Sequence, residues 1–260
     1  MAYTDEGEGS PILFIHGFPL NRRAWSGQVE AFKPRFRVIV PDLRGFGESG
    51  SSEGAVTMGR FADDIRALIQ HLGLGQVILV GHSMGGYIAL AFAKAHPAQL
   101  RGLVLVGTKA GMDSPEAAKS RRASAAKVQR EGPLALVEAM AASMLSGPDA
   151  GGRRVAAVRA CMVPASTEGI TGALLGMAMR PDSWDVLDAL RAPTLVVAGA
   201  EDAVIPPGES EALAKAIPNA HLRLIPKAGH LVAVDQSAAF NVVLREWLAG
   251  ACQDQRQEGI

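Results

Sequence analysis

The sequence has few cysteines and no excess of charge of either sign. Cys161 and Cys252 are its two cysteines in 260 residues, and they form neither a CxxC pair nor a metal-ligand cluster. Isolated thiols in a chain of this length are typical of a reducing compartment, so neither a disulfide nor a zinc site is predicted. Lys and Arg (26) balance Asp and Glu (26). This balance lacks the basic excess of a nucleic-acid-binding protein, and no nucleic-acid partner is predicted.

Long hydrophobic runs and targeting signals are also missing. No apolar stretch reaches the ~18–20 residues that a membrane-spanning helix needs, so no membrane partner is predicted. The first ten residues, MAYTDEGEGS, are acidic and polar, unlike the basic and apolar regions of a signal peptide. We therefore expect a cytoplasmic protein. The sequence carries no signal for its oligomeric state.

Short apolar runs alternate with longer segments of helical pattern. Six runs rich in Val, Ile and Leu are predicted to be strands, at 11–17, 36–42, 76–82, 100–108, 193–200 and 220–228. They are apolar on both faces, which is typical of parallel strands covered by helices on both sides. Helical patterns occupy 21–33, 57–72, 84–96, 207–216 and 235–249. This alternation predicts an α/β fold with a mostly parallel, doubly wound sheet.

One interval interrupts the alternation. From about residue 110 to 190 no strand pattern occurs, and Ala, Met, Ser, Arg and Glu recur with helical spacing. We therefore expect a core domain built from 1–110 and 190–260, with a helical cap inserted at 111–189. Six methionines fall in this interval and either pack between helices or line an apolar substrate pocket: Met112, Met140, Met144, Met162, Met177 and Met179. Met140 and Met144 are taken as candidate substrate-binding residues.

A glycine-rich segment after the second predicted strand has the spacing of a dinucleotide-binding loop. Gly45, Gly47 and Gly50 fit G-x-G-x-x-G. That motif requires a strand running directly into a helix and an acidic residue about 20 positions later. Here the next helix is expected only near Thr57, and a histidine lies where the acid would be. We therefore predict a loop and no nucleotide cofactor.

The segment GHSMG, residues 81–85, carries the strongest chemical signal. It matches G-x-S-x-G, in which a serine lies on a sharp turn between a strand and a helix. Such a turn strains the serine backbone and brings its neighbours too close for side chains. Gly81 and Gly85 would relieve this crowding, and Gly86 would let the helix pack against the strand. Ser83 is thus the candidate nucleophile, exposed at a helix N-terminus.

A serine nucleophile needs a base, which must lie on a loop at the same edge of the sheet. His230 follows the last predicted strand directly and is the candidate base. His82 neighbours the serine, but its side chain is expected to point away. His16 is expected to order the loop after the first predicted strand. The other three histidines lie at helix ends or at the start of a strand, away from this edge: His71, His96 and His221.

A carboxylate must orient the base and stabilise its imidazolium form. Asp202 follows the predicted strand 193–200 and is the candidate acid. Asp113, after the preceding strand, is the fallback position. The chain order Ser83, Asp202, His230 is the order found in α/β-hydrolases.

Two backbone N–H groups are predicted to form an oxyanion hole. One belongs to Met84, the residue after the nucleophile. The other belongs to Phe18, because Gly17 permits a sharp turn just before it. The Phe18 side chain is also a candidate wall of the substrate pocket.

Several motifs together resemble the α/β-hydrolase superfamily: HGFPLNRRAW, VIVPDLRGFGESG, VGHSMGGY, GAEDAVIPP and AGH. The subgroup resembled contains small carboxylesterases, hydrolases similar to 3-oxoadipate enol-lactonase, and carbon–carbon-bond hydrolases with a helical cap. The resemblance implies a serine-hydrolase fold and mechanism without cofactor or metal. Family members usually begin with a β-hairpin, but only about ten residues precede the first predicted strand here. We therefore expect six or seven strands.

Three functions are consistent with these features. The first is a carboxylesterase that cleaves small, largely apolar esters or lactones through an acyl-enzyme. The second is an enol-lactonase or carbon–carbon-bond hydrolase, which would need a cationic clamp for an acidic substrate. Arg22, Arg23, Arg44 or an arginine of the cap could supply that clamp. The third is a ligand-sensing receptor that keeps the triad but works by binding. The sequence does not specify the natural substrate.

Overall fold

Seven β-strands form one sheet at the centre of the protein. The computed structural model describes residues 1–147 and 152–251, so the predicted free thiol of Cys252 lies outside the described residues. The strands are β1 (Tyr3–Glu6), β2 (Pro11–Ile15), β3 (Arg37–Pro41), β4 (Val77–His82), β5 (Leu100–Val106), β6 (Thr194–Gly199) and β7 (His221–Ile225). Their order in the sheet is β1-β3-β2-β4-β5-β6-β7.

All neighbouring strands are parallel except β1, which pairs antiparallel with β3. The six predicted strands are confirmed, with ends shifted by a few residues. Strand β1, with the sequence YTDE, was not predicted. It is polar and largely exposed, so it lacks a hydrophobic pattern and is defined by its backbone pairing with β3 alone. The total of seven lies within the expected range.

Helices connect the strands. The α-helices are α1 (Ser26–Phe32), α2 (Met58–His71), α3 (Met84–Ala95), α4 (Pro115–Glu131), α5 (Leu134–Ser143), α6 (Arg153–Met162), α7 (Thr167–Ala178), α8 (Trp184–Leu187), α9 (Pro207–Ala216), α10 (Val232–Asp235) and α11 (Ser237–Ala251). Short 3₁₀ helices occupy Arg22–Trp25 and Pro97–Gln99. Each predicted helical segment contains helix. The last one begins earlier than predicted, with α10, and is interrupted before α11.

Strands β2 to β6 are almost entirely buried on both faces, as their composition predicts. The edge strand β7 (HLRLI) was also expected to be apolar on both faces, but it is largely exposed and alternates polar with apolar residues. On one face, Leu13, Leu79 and Leu103 belong to a hydrophobic cluster that includes α2, α3 and helices of the inserted segment. On the other face, Phe14 and Val80 pack in a second cluster with residues of α1 and α11. This coverage by helices on both faces explains why the central strands β2 to β6 are nearly continuous apolar runs rather than alternating ones.

The five helices α4–α8 lie between β5 and β6, and we refer to them and their connections as the cap. Helix α7 contacts loops at the carboxyl edge of the sheet: the Ser166 N–H, at its N-cap, donates to the Gly45 carbonyl, and the Val56 N–H donates to the Gly172 carbonyl.

The cap's methionines are divided between two environments. Met144, Met162 and Met177 are buried, whereas Met112 and Met179 are more than half exposed.

The two ends of the cap meet. The Arg180 side chain is buried and donates to the carbonyls of Ala110 (3.2 Å) and Gly111 (2.6 Å). The Ser183 N–H donates to the same Ala110 carbonyl at 3.0 Å. The chain therefore leaves and rejoins the core at neighbouring points. Within residues 1–147 and 152–251, no helix is both long enough and apolar enough to cross a membrane.

Candidate active site

Ser83 lies on the turn between β4 and α3, in a strained backbone conformation. Its φ is 53° and its ψ is −116°, a region that residues with side chains adopt rarely and at a cost. Two hydrogen bonds join this turn to the chain at the end of β5 and just beyond it. The Ser83 N–H donates to the Val106 carbonyl at 2.8 Å, and the Thr108 hydroxyl donates to the Ser83 carbonyl at 2.9 Å.

The glycines around Ser83 occupy positions where a side chain does not fit. A Cβ on Gly81 would overlap the Gly85 carbonyl, and one on Gly85 would overlap the carbonyl of Ile15 in β2. The predicted crowding within the turn is therefore confirmed for Gly81, whereas Gly85 is required by the neighbouring strand β2. A Cβ on Gly86 would lie 2.5 Å from the Thr108 hydroxyl oxygen, so this glycine accommodates a side chain just beyond β5.

His230 and Asp202 form a buried hydrogen-bonded pair. The His230 Nδ1 and the Asp202 Oδ2 are 2.8 Å apart, and neither side chain exposes more than 1% of its surface. Because a carboxylate only accepts, Nδ1 carries the proton. Nε2 then points away as an acceptor; this buried atom has no hydrogen-bond partner in the part of the chain that the structure describes.

Asp202 is held as a carboxylate. Its Oδ1 accepts from the N–H groups of Val204 and Ile205, both at 2.9 Å. Burial acts to raise the pKa of Asp202, but the bonds from His230 and from these N–H groups outweigh it, and the pKa lies below its usual value. The pair also lies close to the serine turn. A Cβ on Gly107, the residue after Val106, would be 3.4 Å from the Asp202 Oδ2.

The fallback acid, Asp113, has different partners. Its buried carboxylate forms an ion pair with Arg121, and the Arg180 Nη2 lies 4.0 Å away. It therefore belongs to the charge cluster at the base of the cap, while Asp202 is the carboxylate on His230.

His82 was expected to point away from Ser83, and among the described residues no hydrogen bond joins the two side chains, but His82 does contact the candidate base. Its buried ring lies against the His230 ring, with centroids 4.8 Å apart, and its Nε2 lies 2.9 Å from the His230 carbonyl oxygen. A carbonyl only accepts, so Nε2 carries a proton and donates. Burial and the nearby His230 lower the pKa of His82 to about 3. The sequence pattern missed this contact because the two residues are 148 positions apart.

The loop after β2 runs beside the serine. A Cβ on Gly17 would lie 3.1 Å from the Ser83 Cβ, so the chain turns towards Phe18 next to the candidate nucleophile. His16 orders this loop as predicted, since its Nε2 accepts from the Leu43 N–H at 3.0 Å and its Nδ1 lies 3.0 Å from the Gly17 carbonyl. Burial lowers the pKa of His16 to about 4, so it remains neutral.

The two predicted oxyanion donors are the N–H groups of Met84 and Phe18, which directly follow Ser83 and Gly17 in the sequence. Met84 is the first residue of α3, and backbone N–H groups in a first helical turn have no partner within the helix. The positive end of the helix dipole also favours negative charge there. Phe18 is buried, with its ring edge-on to Phe46 at 6.2 Å. Its role as a donor and as a pocket wall stays a prediction.

The candidate substrate residues of the cap differ in their relation to this site. The Met144 carbonyl accepts from the Leu231 N–H at 3.0 Å, next to His230. Met140 is partly buried against the hydrophobic core. Their contact with a substrate stays a prediction. Among the described residues, no group of three or more His, Cys, Asp or Glu side chains is arranged to hold a metal ion.

Comparison with known proteins adds to this geometry. Residues 10–142 and 168–236 match the family model described as alpha/beta hydrolase fold. A thermophilic esterase from Thermogutta terrifontis is 45% identical over 96% of this chain and 93% of its own, with a TM-score of 0.93. The enol-lactonase from Burkholderia xenovorans LB400 is 26% identical over 95% of this chain and 96% of its own, with a TM-score of 0.87.

A curated relative gives similar coverage. The 2-hydroxymuconate semialdehyde hydrolase of Pseudomonas putida is 32% identical over 95% of this chain and 90% of its own length. The sheet order, the strained serine turn and the family match agree with one another. The chain therefore belongs to the family of hydrolases with the α/β-hydrolase fold, with an esterase and an enol-lactonase among the solved structures it resembles.

Proposed function

We propose that the protein is a carboxylesterase that cleaves small, largely apolar esters through Ser83, His230 and Asp202. One observation carries the proposal. His230 presents a buried, unpartnered Nε2 while its Nδ1 is fixed by a carboxylate 2.8 Å away. The Ser83 hydroxyl makes no hydrogen bond to this nitrogen in the structure, but the imidazole lies close to the serine turn through Gly107. An imidazole held in this tautomer can take the hydroxyl proton once the two groups come within hydrogen-bond distance. The 45% identity to an esterase over nearly the whole chain supports the same class.

In the first half-reaction, the Ser83 Oγ attacks the ester carbonyl carbon while His230 Nε2 takes its proton. The carbonyl oxygen becomes an oxyanion, which the N–H groups of Phe18 and Met84 stabilise. The imidazolium is stabilised by Asp202, which stays ionised because its pKa is lowered. When the tetrahedral intermediate collapses, the bond to the alkoxy oxygen breaks. His230 gives its proton to the leaving alcohol, and an acyl-serine remains.

The second half-reaction uses the same groups with water. His230 Nε2 removes a proton from a water molecule as its oxygen attacks the acyl carbon. The oxyanion forms again at the same two N–H groups. Collapse breaks the bond to the Ser83 Oγ, which recovers its proton from His230. The products are a carboxylic acid and an alcohol, and the resting state is restored without a cofactor.

The second candidate is an enol-lactonase or carbon–carbon-bond hydrolase that cleaves acidic substrates. Two of the similar proteins favour it, the semialdehyde hydrolase and the enol-lactonase. It needs a free cation near the serine. Arg22 is paired with Asp42, and Arg44 binds Asp64 through two bonds of 2.6 and 2.9 Å. Arginines engaged in this way are poor clamps for a substrate carboxylate, which leaves the exposed Arg23 and the arginines of the cap as candidates for that role.

Hydrolysis of p-nitrophenyl acetate and butyrate by the wild type and Ser83→Ala tests the proposal. We expect Ser83→Ala to lose the activity and Asp113→Asn, a matched carboxylate outside the triad, to keep it. Equal rates in wild type and Ser83→Ala would refute the proposal. Faster turnover of an acidic enol-lactone or of a ring-cleavage keto-acid than of either ester would favour the second candidate.

A further inference from the structure

A buried carboxylate, Asp235, lies five residues beyond His230 and takes no part in the proposed chemistry. Its side chain has no exposed surface. Its Oδ2 accepts from the backbone N–H groups of Gly229 (2.8 Å) and Ser146 (2.9 Å), and its Oδ1 accepts from the Arg154 guanidinium (3.0 Å). Three charge-assisted bonds are enough to stabilise an ionised carboxylate in such a place. They also join two distant parts of the chain, since Ser146 and Arg154 belong to the cap.

The cap and the histidine loop are joined by further bonds around this carboxylate. The Leu231 N–H donates to the Met144 carbonyl at 3.0 Å, and the Ser146 hydroxyl donates to the Lys227 carbonyl at 2.9 Å. Arg154 also donates to the Ser146 carbonyl at 3.2 Å. We call the group Met144, Ser146, Arg154 and Asp235 the latch.

The latch holds the backbone on both sides of the candidate base. The N–H before His230, at Gly229, binds Asp235, and the N–H after it, at Leu231, binds the cap directly. The cap backbone lies so close that a Cβ on Gly229 would be 2.8 Å from the Ser146 nitrogen. The loop also contains Lys227 with a φ of 55°, a conformation that needs support from its surroundings. The position of the His230 ring therefore depends on the seated cap.

We propose that Asp235 is a positioning residue for His230, and that the latch makes the base competent only when the cap is seated on the histidine loop. The inference rests on the proposed hydrolase function. The cap then has two separate roles. Lining a pocket affects the binding of larger substrates, whereas holding the base affects every substrate equally. A small displacement of a catalytic group costs on the order of 100-fold in rate. Loss of the latch thus lowers kcat whatever the acyl chain.

The test compares Asp235→Asn with the wild type on p-nitrophenyl acetate and butyrate, and measures the rate at which a small p-nitrophenyl phosphonate labels Ser83. The asparagine keeps the size of the side chain but loses the ion pair and one acceptor. We expect kcat to fall roughly 10- to 100-fold on both esters with KM nearly unchanged, and labelling to slow by a similar factor. Arg154→Met, which removes only the guanidinium, should give a smaller loss of the same pattern.

Asp64→Asn is the matched control, because it breaks the partly buried pair with Arg44 away from the histidine loop. It should keep kcat near that of the wild type. An Asp235→Asn protein that is less stable but retains kcat on both esters overturns the inference, as does a rise in KM alone. If Asp235→Asn does not fold, the double variant of Arg154→Met and Ser146→Ala decides, and unchanged kcat in it overturns the inference.

The same measurements keep this inference apart from the proposed function. A wild type that hydrolyses neither ester and is not labelled by the phosphonate refutes the proposed function, and the inference with it. An active wild type matched by an equally active Asp235→Asn protein refutes the inference alone.

Discussion

Replacing Ser83 by glycine should stabilise the protein while removing its proposed nucleophile. Ser83 has a φ of 53°, and holding a non-glycine residue in such a region costs about 1–3 kcal/mol. Glycine relieves that strain but makes the unfolded chain more flexible, which offsets about 0.4–1 kcal/mol. His230 Nε2 has no bonded partner among the described residues, so no hydrogen bond to it is lost. The net gain is roughly 1–2 kcal/mol, or about 2–4 °C in Tm for a chain of this size.

Differential scanning calorimetry of Ser83→Gly, Ser83→Ala and the wild type measures this gain. Alanine also removes the hydroxyl but keeps the strain, so Ser83→Ala should melt below Ser83→Gly. Ser114→Gly is a control at an ordinary helix N-cap, where φ is −61° and the side chain accepts from the Ala117 N–H. It should lower the Tm slightly. A Ser83→Gly protein that melts no higher than Ser83→Ala would show that the turn stores no strain.

Three further predictions concern other parts of the site. Asp202→Asn should lower kcat for p-nitrophenyl butyrate by about 10³–10⁴-fold with little change in KM, because the amide no longer selects the histidine tautomer; a loss below tenfold contradicts that role. His16 and His82 have pKa values of about 4 and 3 against 6.5 when unfolded. As the pH falls below 6.5 the unfolded chain binds protons that the folded chain does not. The free energy of unfolding should then drop by up to about 2.7 kcal/mol per pH unit down to pH 4, and equal urea midpoints at pH 7 and 5 contradict this. Gly85→Ala places a Cβ against a β2 carbonyl and should cost about 1–3 kcal/mol in thermal unfolding, whereas Gly208→Ala, which meets open space, should cost nothing.

The central strands and the serine turn could be predicted from the sequence because their causes are local. A strand buried on both faces must be largely apolar, and β2 to β6 are, with polar residues only at or next to their ends. Gly81 is required by residues at most five positions away in the chain, whereas Gly85 and Gly86 are required by β2 and by Thr108. Strand β1 was missed because its polar sequence contains no trace of the pairing with β3 that defines it.

Contacts between distant residues account for what the sequence did not reveal. His82 was expected to point away because strand alternation turns it from Ser83, and nothing local indicates that the His230 loop covers that face of the sheet. Asp235 reads as an ordinary helix residue, yet its partner Ser146 is 89 positions away. A hydrophobic pattern indicates which apolar side chains are buried, so it does not identify a carboxylate that is buried among backbone N–H groups.

The meeting of the two cap ends at Ala110 has an evolutionary consequence. A segment whose ends are adjacent can be lengthened, trimmed or exchanged between genes without redirecting β5 or β6, because loop closure becomes only slowly more costly with length. Recombination could thus supply a new substrate range to an unchanged candidate active site. The latch restricts this freedom, since an incoming segment must again bind the backbone around His230. A protein that receives a cap without partners for Asp235 should therefore fold but have low activity.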